Sequence, residues 1–207
     1  MSSLRDAVQH EYASLAGDYD RRWARYVDAG TRRALHGLAL APGERLLDLG
    51  CGTGVLLERA VRAHPDARAC GADLSAEMLG VARARLNGRA ALVRSDAQGL
   101  PFRDGAFAAV ATSSALHYWP DPLLALRETA RVLRPGGRLV LVDWCADFLR
   151  VRAMGLLLRA ARRPLGRILT VRRAMEMLGA CGFTGVEAET FRAGGWGMMA
   201  LRARRAG

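Results

Sequence analysis

The sequence predicts an α/β fold: a doubly wound, mostly parallel sheet with helices on both faces and an antiparallel hairpin at its C-terminal edge. Three observations predict it. Apolar strand-like runs alternate with helix-period segments from residue 45 to residue 144. The first run, RLLDLG, opens into the glycine-alternating loop GCGTG just before a helix. Close to the C-terminus, GVEAETF and GMMALRAR lie on either side of a short glycine-containing break, the pattern of a hairpin.

The elements follow in order. RLLDLG (45–50) reads as a buried strand, TGVLLERAVRAH (53–64) as a helix, ARACGADL (67–74) as a strand, and SAEMLGVARARL (75–86) as a helix capped by Ser75. AALVRSDA (90–97) and FAAVATSSAL (107–116) continue the strands, and DPLLALRETARVL (121–133) the helices. A turn is expected at Pro135-Gly136-Gly137, then the strand RLVLVDW (138–144). A longer helical region precedes the hairpin strands 185–191 and 197–204. Such alternation calls for right-handed crossovers, so the carboxyl ends of the parallel strands share one edge.

A chain of 207 residues holds one core rather than two, and no repeat, linker or low-complexity tract divides it. About half the residues (51%) are apolar and 25% are charged, the profile of a globular domain. No apolar stretch has the length of a membrane span, and MSSLRDAVQHEYASL has no signal-like apolar centre, so the cytoplasm is the expected location. Cys51, Cys70, Cys145 and Cys181 are scattered without metal-ligand spacing and read as reduced thiols, with no metal. The net charge of +11 invites a nucleic-acid reading. However, every basic side chain other than histidine is arginine, and the sequence has one isoleucine and one asparagine, as a strong codon bias toward G and C would produce.

Glycines after the first strand of such a sheet let a ligand touch backbone at a helix N-terminus. Gly50-Cys51-Gly52-Thr53-Gly54 departs from the dinucleotide pattern by placing its third glycine one position early, and it lacks the G-K-[ST] of a triphosphate loop. An adenosine ligand without pyrophosphate remains. Asp48, two residues before the first glycine, suits a cationic group on that ligand. Asp73, about 20 residues past the loop, suits ribose hydroxyls, and Asp96, in SDAQGLPF, an exocyclic amine. Each aspartate alone reads equally as a surface or capping residue; the three share successive strand ends.

LLDLGCGTG, GADLSAEML, SDAQGLPF, SSALHYWPDP and LRETARVLRPGGRLVLVDW together resemble the successive motifs of class I S-adenosylmethionine-dependent methyltransferases, in particular the small-molecule group of the ubiquinone and menaquinone biosynthesis enzymes. The resemblance spans about residues 40–145, and EYASLAGDYDRRWARY resembles that group's leading helix. It implies a Rossmann-like seven-stranded sheet with the last strand inserted antiparallel. It also implies S-adenosyl-L-methionine as cofactor and a division into an N-terminal helical lid (1–38), a cofactor-binding core (40–145), a helical acceptor-side segment (146–182) and a C-terminal hairpin (183–207). By the same resemblance Asp48, Gly50, Cys51 and Gly52 surround the methionine part, Asp73 the ribose, and Asp96 with Ala97 the adenine. Leu74 and Met78 pack on the adenosine, Ser113 adds to the cofactor set, and Tyr19 forms the lid.

A sulfonium is an activated methyl donor, so the protein's main task is to hold a nucleophile in line and exclude water. A general base serves hydroxyl, thiol or acidic-carbon acceptors, and His117, just past the fourth strand, is the candidate; it reads equally as a packed loop histidine. Asp143 and Cys145 follow the fifth strand toward the same crevice, although strand alternation lets only some of that run point inward. The fourth strand ends ATSSALHYW rather than in N-P-P-Y or D-P-P-Y, which argues against the known route to base amines. The expected reaction is methyl transfer to an oxygen, carbon, sulfur or nitrogen nucleophile of a small lipophilic acceptor, in a pocket flanked by Trp119, Trp144, Phe148, Trp196, Met198 and Met199, each of which also reads as core, the two methionines first of all. RNA methylation and non-catalytic cofactor binding are the alternatives, although no RNA-binding module accompanies the charge.

LRVRAMGLLLRAARR (149–163) reads as a helix ended by Pro164. At 100 degrees per residue, Arg152, Arg159, Arg162 and Arg163 gather on one side and Leu149, Met154 and Leu156 to Leu158 occupy most of the other, with Arg150 as the exception. Either the leucines pack on the domain, or residues 149–173 lie on an anionic membrane surface.

Overall fold

The computed structural model describes residues 4–207; residues 1–3, the first of the expected lid segment, lie outside the described residues. Its centre is a seven-stranded sheet of β1 (Arg45–Leu49), β2 (Arg68–Asp73), β3 (Ala91–Arg94), β4 (Phe107–Ser113), β5 (Leu133–Trp144), β6 (Phe183–Ala193) and β7 (Trp196–Arg205). The order is β3-β2-β1-β4-β5-β7-β6. The first five strands are parallel, and β7 enters between β5 and β6 antiparallel to both. The predicted class and the hairpin edge are therefore found.

Residue alternation explains the two covered faces. Leu139 and Leu141 of β5 belong to one core with Leu47, Val110, Leu126 and Leu178. Val140 and Val142 point the other way and join Leu46, Ala109, Ala111, Ala34 and Leu38. Thus α6 (Pro122–Val132) and α8 (Val171–Ala180) cover one face, while α3 (Ala24–Leu38) covers the other. α4 (Val55–Ala63) and α5 (Ala76–Leu86) pack against β2 and β3 around Leu57, Leu79 and Leu86. Two further helices, α1 (Leu4–Leu15) and the single turn α2 (Tyr19–Arg22), form the N-terminal cover.

Helix starts follow side-chain chemistry. Ser75 Oγ accepts from Met78 N at 3.1 Å, Asp121 Oδ1 from Leu124 N at 3.0 Å, and Thr170 Oγ1 from Arg173 N at 3.2 Å. α4 begins differently. Its cap is Gly54 at φ 80°, with no side-chain cap, so the helix N-terminus opens onto the glycine loop.

Gly71 fixes that loop from below. A Cβ there would meet Leu57 at 2.6 Å, Cys51 Sγ at 2.8 Å and Leu92 at 2.9 Å. Gly71→Ala is expected to destabilise the domain by about 1–3 kcal/mol through overpacking, read as a lower midpoint in urea unfolding; an unchanged midpoint would mean that these neighbours yield freely.

Two expectations are corrected. Pro135-Gly136-Gly137 does not precede the fifth strand but lies inside it: Phe107 pairs with Leu133 and Ala109 with Arg138, so the extra residues form a bulge, with Gly136 at φ 69°. The helix expected over 149–163 is α7, Leu149–Ala160, and it stops before Pro164. Arg162 turns left-handed at φ 54°, Arg162 N donates to Arg159 O at 3.0 Å and Arg163 N to Leu158 O at 2.9 Å. This is a Schellman ending with arginine in the place glycine usually takes, and Pro164 excludes Arg163 from the helical region. α7 also rotates its leucines unexpectedly. Val151 and Gly155 are buried, Met154 and Leu158 half-buried, and Leu149, Leu156 and Leu157 face outward beside the arginines.

Candidate functional site

Four parallel strands end at one edge, and each delivers polar groups to it. β1 brings Asp48, paired in register with Gly71 of β2 and Ala111 of β4, so its side chain stands at the centre of the edge. Asp73 ends β2, Ser95 and Asp96 follow β3, and Ser113 ends β4. Between them lies a cavity of about 150 Å³. All eleven residues expected to hold the cofactor line it: Tyr19, Asp48, Gly50, Cys51, Gly52, Asp73, Leu74, Met78, Asp96, Ala97 and Ser113.

The glycine loop is tied down by a carboxylate. Asp73 Oδ2 accepts from Gly52 N at 2.8 Å and Oδ1 from Ser75 N at 2.9 Å, which joins the loop to the start of α5. Gly50 and Gly52 have φ of 74° and 51°, where side chains are strained. A Cβ on Gly50 would strike Ala115 at 2.5 Å, whereas one on Gly52 would enter open space, so backbone there is bare toward the cavity.

Asp48 is the electrostatic centre. It is 2% exposed, and its Oδ2 has no hydrogen-bond partner among the described residues. Burial, and then the negative charge of Asp73, push its carboxyl up to about 8. Burial also raises Asp73, against the backbone N–H groups of Ser75, Gly52 and Leu74, which favour its charged form. A buried carboxylate without a partner is costly. A cationic ligand group beside Asp48 would offset that cost, and the bare glycine backbone and Asp73 suit an adenosine: the residues present fit S-adenosylmethionine.

The N-terminal helices cover this cavity through ion pairs. Arg5 of α1 meets Asp96 at 3.3 Å. Asp20 of α2 accepts from Thr53 Oγ1 at 2.7 Å and pairs with Arg85, which also bonds Thr53 O at 2.9 Å. Tyr19 is thereby held over the loop, and its hydroxyl resists ionisation because it is buried.

His117 lines a second cavity, of about 320 Å³, rather than the first. Tyr12, Tyr19, Ser114 and Tyr118 line both. The second cavity is aromatic, with Trp23, Tyr26, Trp144 and Trp196 added to those tyrosines. His117 is 1% exposed, and its Nδ1 contacts Asp143 Oδ1. Asp143 also accepts from Trp144 N at 2.6 Å and from His117 N at 3.4 Å. The imidazole stacks on Trp144 at 4.4 Å and 16°, and Trp144 stacks on Trp196 at 4.6 Å and 19°. Trp144 Nε1 donates to Tyr26 Oη at 2.6 Å. With Nδ1 engaged by a carboxylate, Nε2 is left, and it has no partner among the described residues.

Other expectations divide. Trp144 and Trp196 line the second cavity and Trp119 the first; Phe148, Met198 and Met199 line neither, and both methionines are fully buried. Asp143 reaches the site through His117, but Cys145 turns away, with Sγ 3.4 Å from Asp147 Oδ2. Tyr12, Trp23, Tyr26 and Tyr118 escape sequence reasoning as cavity residues. Only their aromatic type in otherwise polar segments could have marked them. No cluster of three or more metal-binding side chains occurs among the described residues.

Residues 47–141 match the family model described as a methyltransferase domain. The demethylmenaquinone methyltransferase of Clavibacter sepedonicus is 44% identical over 150 residues, which cover 70% of this chain and 58% of that protein. The 27-O-demethylrifamycin SV methyltransferase of Amycolatopsis mediterranei is 36% identical over 156 residues, 67% of this chain and 57% of its own length. The chain spans from 33% to 64% of the length of such curated relatives. Among solved structures, a chain from the complex of the Haloferax volcanii Trm112 methyltransferase activator with a methyltransferase superposes with a TM-score of 0.83 at 22% identity, covering 95% of this chain and 98% of that one. The geranyl diphosphate C-methyltransferase of Streptomyces coelicolor gives 0.71 at 17% identity, covering 86% and 79%. At these identities the structures attest the fold.

Proposed function

We propose that the chain, whose residues 47–141 match a methyltransferase domain, is a class I, S-adenosylmethionine-dependent methyltransferase that methylates a small lipophilic acceptor through a hydroxyl, thiol or acidic carbon, with His117 as general base. One observation carries the reading: a buried, Asp143-paired histidine whose Nε2 has no partner among the described residues lines an aromatic cavity that shares a wall with the first cavity.

When bound, S-adenosylmethionine supplies a methyl group already activated by its sulfonium. The protein's residues do the rest. In this proposal Asp48 meets the ligand's ammonium, the bare backbone at Gly50 to Gly52 receives the methionine part, Asp73 the ribose, and Asp96 with Ala97 the adenine. Leu74 and Met78 pack on the adenosine, Cys51 and Ser113 complete the wall, and Tyr19 excludes water from above. The aromatic cavity holds the acceptor by apolar burial. Nε2 of His117 takes the acceptor's proton as the new bond to carbon forms, and Asp143 holds the ring in the tautomer that leaves Nε2 a base and stabilises the imidazolium.

The test is a screen with methyl-tritiated cofactor over phenols, quinol precursors, other lipophilic hydroxyl compounds, thiols, primary amines and RNA. Label is expected in lipophilic acceptors with an ionisable O–H, S–H or C–H. Exclusive transfer to RNA or to highly polar acceptors would overturn the reading, and cofactor binding without any transfer would favour a non-catalytic role.

A further inference from the structure

We propose that the outer face of α7 docks on an anionic lipid surface, with Leu149, Leu156 and Leu157 entering the interface, so that a lipophilic acceptor passes from the bilayer into the aromatic cavity. This rests on the lipophilic acceptor proposed above.

Leu149, Leu156 and Leu157 are 77%, 67% and 64% exposed, the most exposed large apolar side chains among the described residues. Leaving three leucines of one helix in water forgoes the burial that normally seats a helix, so an outward cluster of this kind marks a surface made for contact. Its surroundings select the partner. Residues 148–175 hold eight arginines and not one acidic residue. Two are spent locally: Arg163 pairs with Glu11, and Arg173 pairs with Glu176 at 3.0 Å. Arg159 donates to Gly166 O at 2.8 Å. Arg150, Arg152, Arg162, Arg167 and Arg172 show no ion pair among the described residues, and all are exposed. Apolar side chains that dip and basic ones that stay at phosphate level are the two requirements of an interfacial helix. No described helix is long and apolar enough to cross a membrane, so contact of this helix type is peripheral.

The same helix walls the acceptor cavity. Met154 and Leu158 on its inner side, with Arg163, Pro164 and Leu165 just beyond, line the cavity that His117 faces. The outward leucines and the inward lining are therefore one turn apart on a single element. An acceptor leaving the lipid would pass from one to the other without crossing bulk water.

Co-sedimentation of the full chain with phosphatidylcholine vesicles containing none, 15 or 30 mole percent phosphatidylglycerol tests this. Bound protein is expected to rise with anionic lipid and to fall with salt. Leu156→Gln with Leu157→Gln should lower partitioning at least tenfold with cofactor affinity unchanged. Arg150→Gln, Arg152→Gln and Arg162→Gln together should remove the dependence on anionic lipid. Equal supernatant recovery with neutral and anionic vesicles would overturn the proposal. So would undiminished binding by the leucine variant, binding to RNA that ignores the leucines but needs the arginines, or a leucine-dependent dimer that does not partition. The reaction itself is read apart from docking. If the leucine variant methylates a freely dispersed acceptor at the parent rate but loses the rate on a vesicle-embedded one, docking stands; if no acceptor is methylated by any form, the methyl-transfer reading fails while the vesicle result keeps its own meaning.

Discussion

His117→Asn is expected to lower kcat by about 10²- to 10⁴-fold on any acceptor that must lose a proton. Asparagine is small enough for the pocket and keeps an N–H for Asp143 Oδ1, but it has no basic nitrogen where Nε2 stands. Cofactor affinity should hold, because His117 lines the second cavity and not the first, which Asp48, Asp73 and Asp96 share. Asp143→Asn should lower kcat as well, since an amide in place of the carboxylate lets the ring adopt the tautomer that protonates Nε2. Steady-state kinetics on the first acceptor from the screen, beside titration of S-adenosylhomocysteine as a folding control, decides it. Parent-like kcat in His117→Asn would reduce the histidine to a packing residue between Trp144 and Tyr118, which its ring contacts would equally allow.

Cofactor affinity is expected to climb with pH and to level off near 8. Asp48 holds its proton up to about pH 8 in the free protein. A ligand bearing an ammonium favours the ionised carboxylate, so below that pH binding must expel a proton. Affinity should therefore rise by up to about tenfold per pH unit on the acid side, and then become flat. Asp48→Asn should remove the slope. Asp73→Asn should shift the inflection to lower pH, because the negative charge of Asp73 is the second cause of the raised value. The same group acts on stability in the opposite direction. Its folded-state value lies above the ordinary 3.8, so the contribution is fully present below about pH 4 and is lost as pH rises toward 8. Calorimetric titration from pH 6 to 9, in two buffers of different ionisation enthalpy, reads both the affinity and the proton released. A flat profile with no proton exchange would remove Asp48 from contact with the ligand's cation.

The sequence by itself determined what local chemistry and short spacing determine. Ser75 and Asp121 mark helix starts because a cap bond reaches only three residues. The meeting of Asp48, the glycine loop, Asp73 and Asp96 at one edge was legible for a related reason: each sits at or just beside the end of a strand, and parallel strands joined by right-handed crossovers must present their ends together. The aromatic cavity was legible only in part: His117, Trp144 and Trp196 were expected beside it, but Tyr12, Trp23, Tyr26 and Tyr118 were not. His117 and Asp143 stand 26 residues apart, and Trp144 and Tyr26 118 apart, so their pairing depends on how β4, β5 and α3 stack rather than on any motif. The face of α7 was also settled only in three dimensions. Periodicity placed leucines opposite arginines, but the rotation of a helix about its axis is chosen by what lies beneath it. Gly155 would have its added Cβ 2.9 Å from Ile168, so the small face of α7, with Val151 and Gly155, is the side that can approach the domain closely. That close approach, decided by shape, is what left Leu149, Leu156 and Leu157 outside.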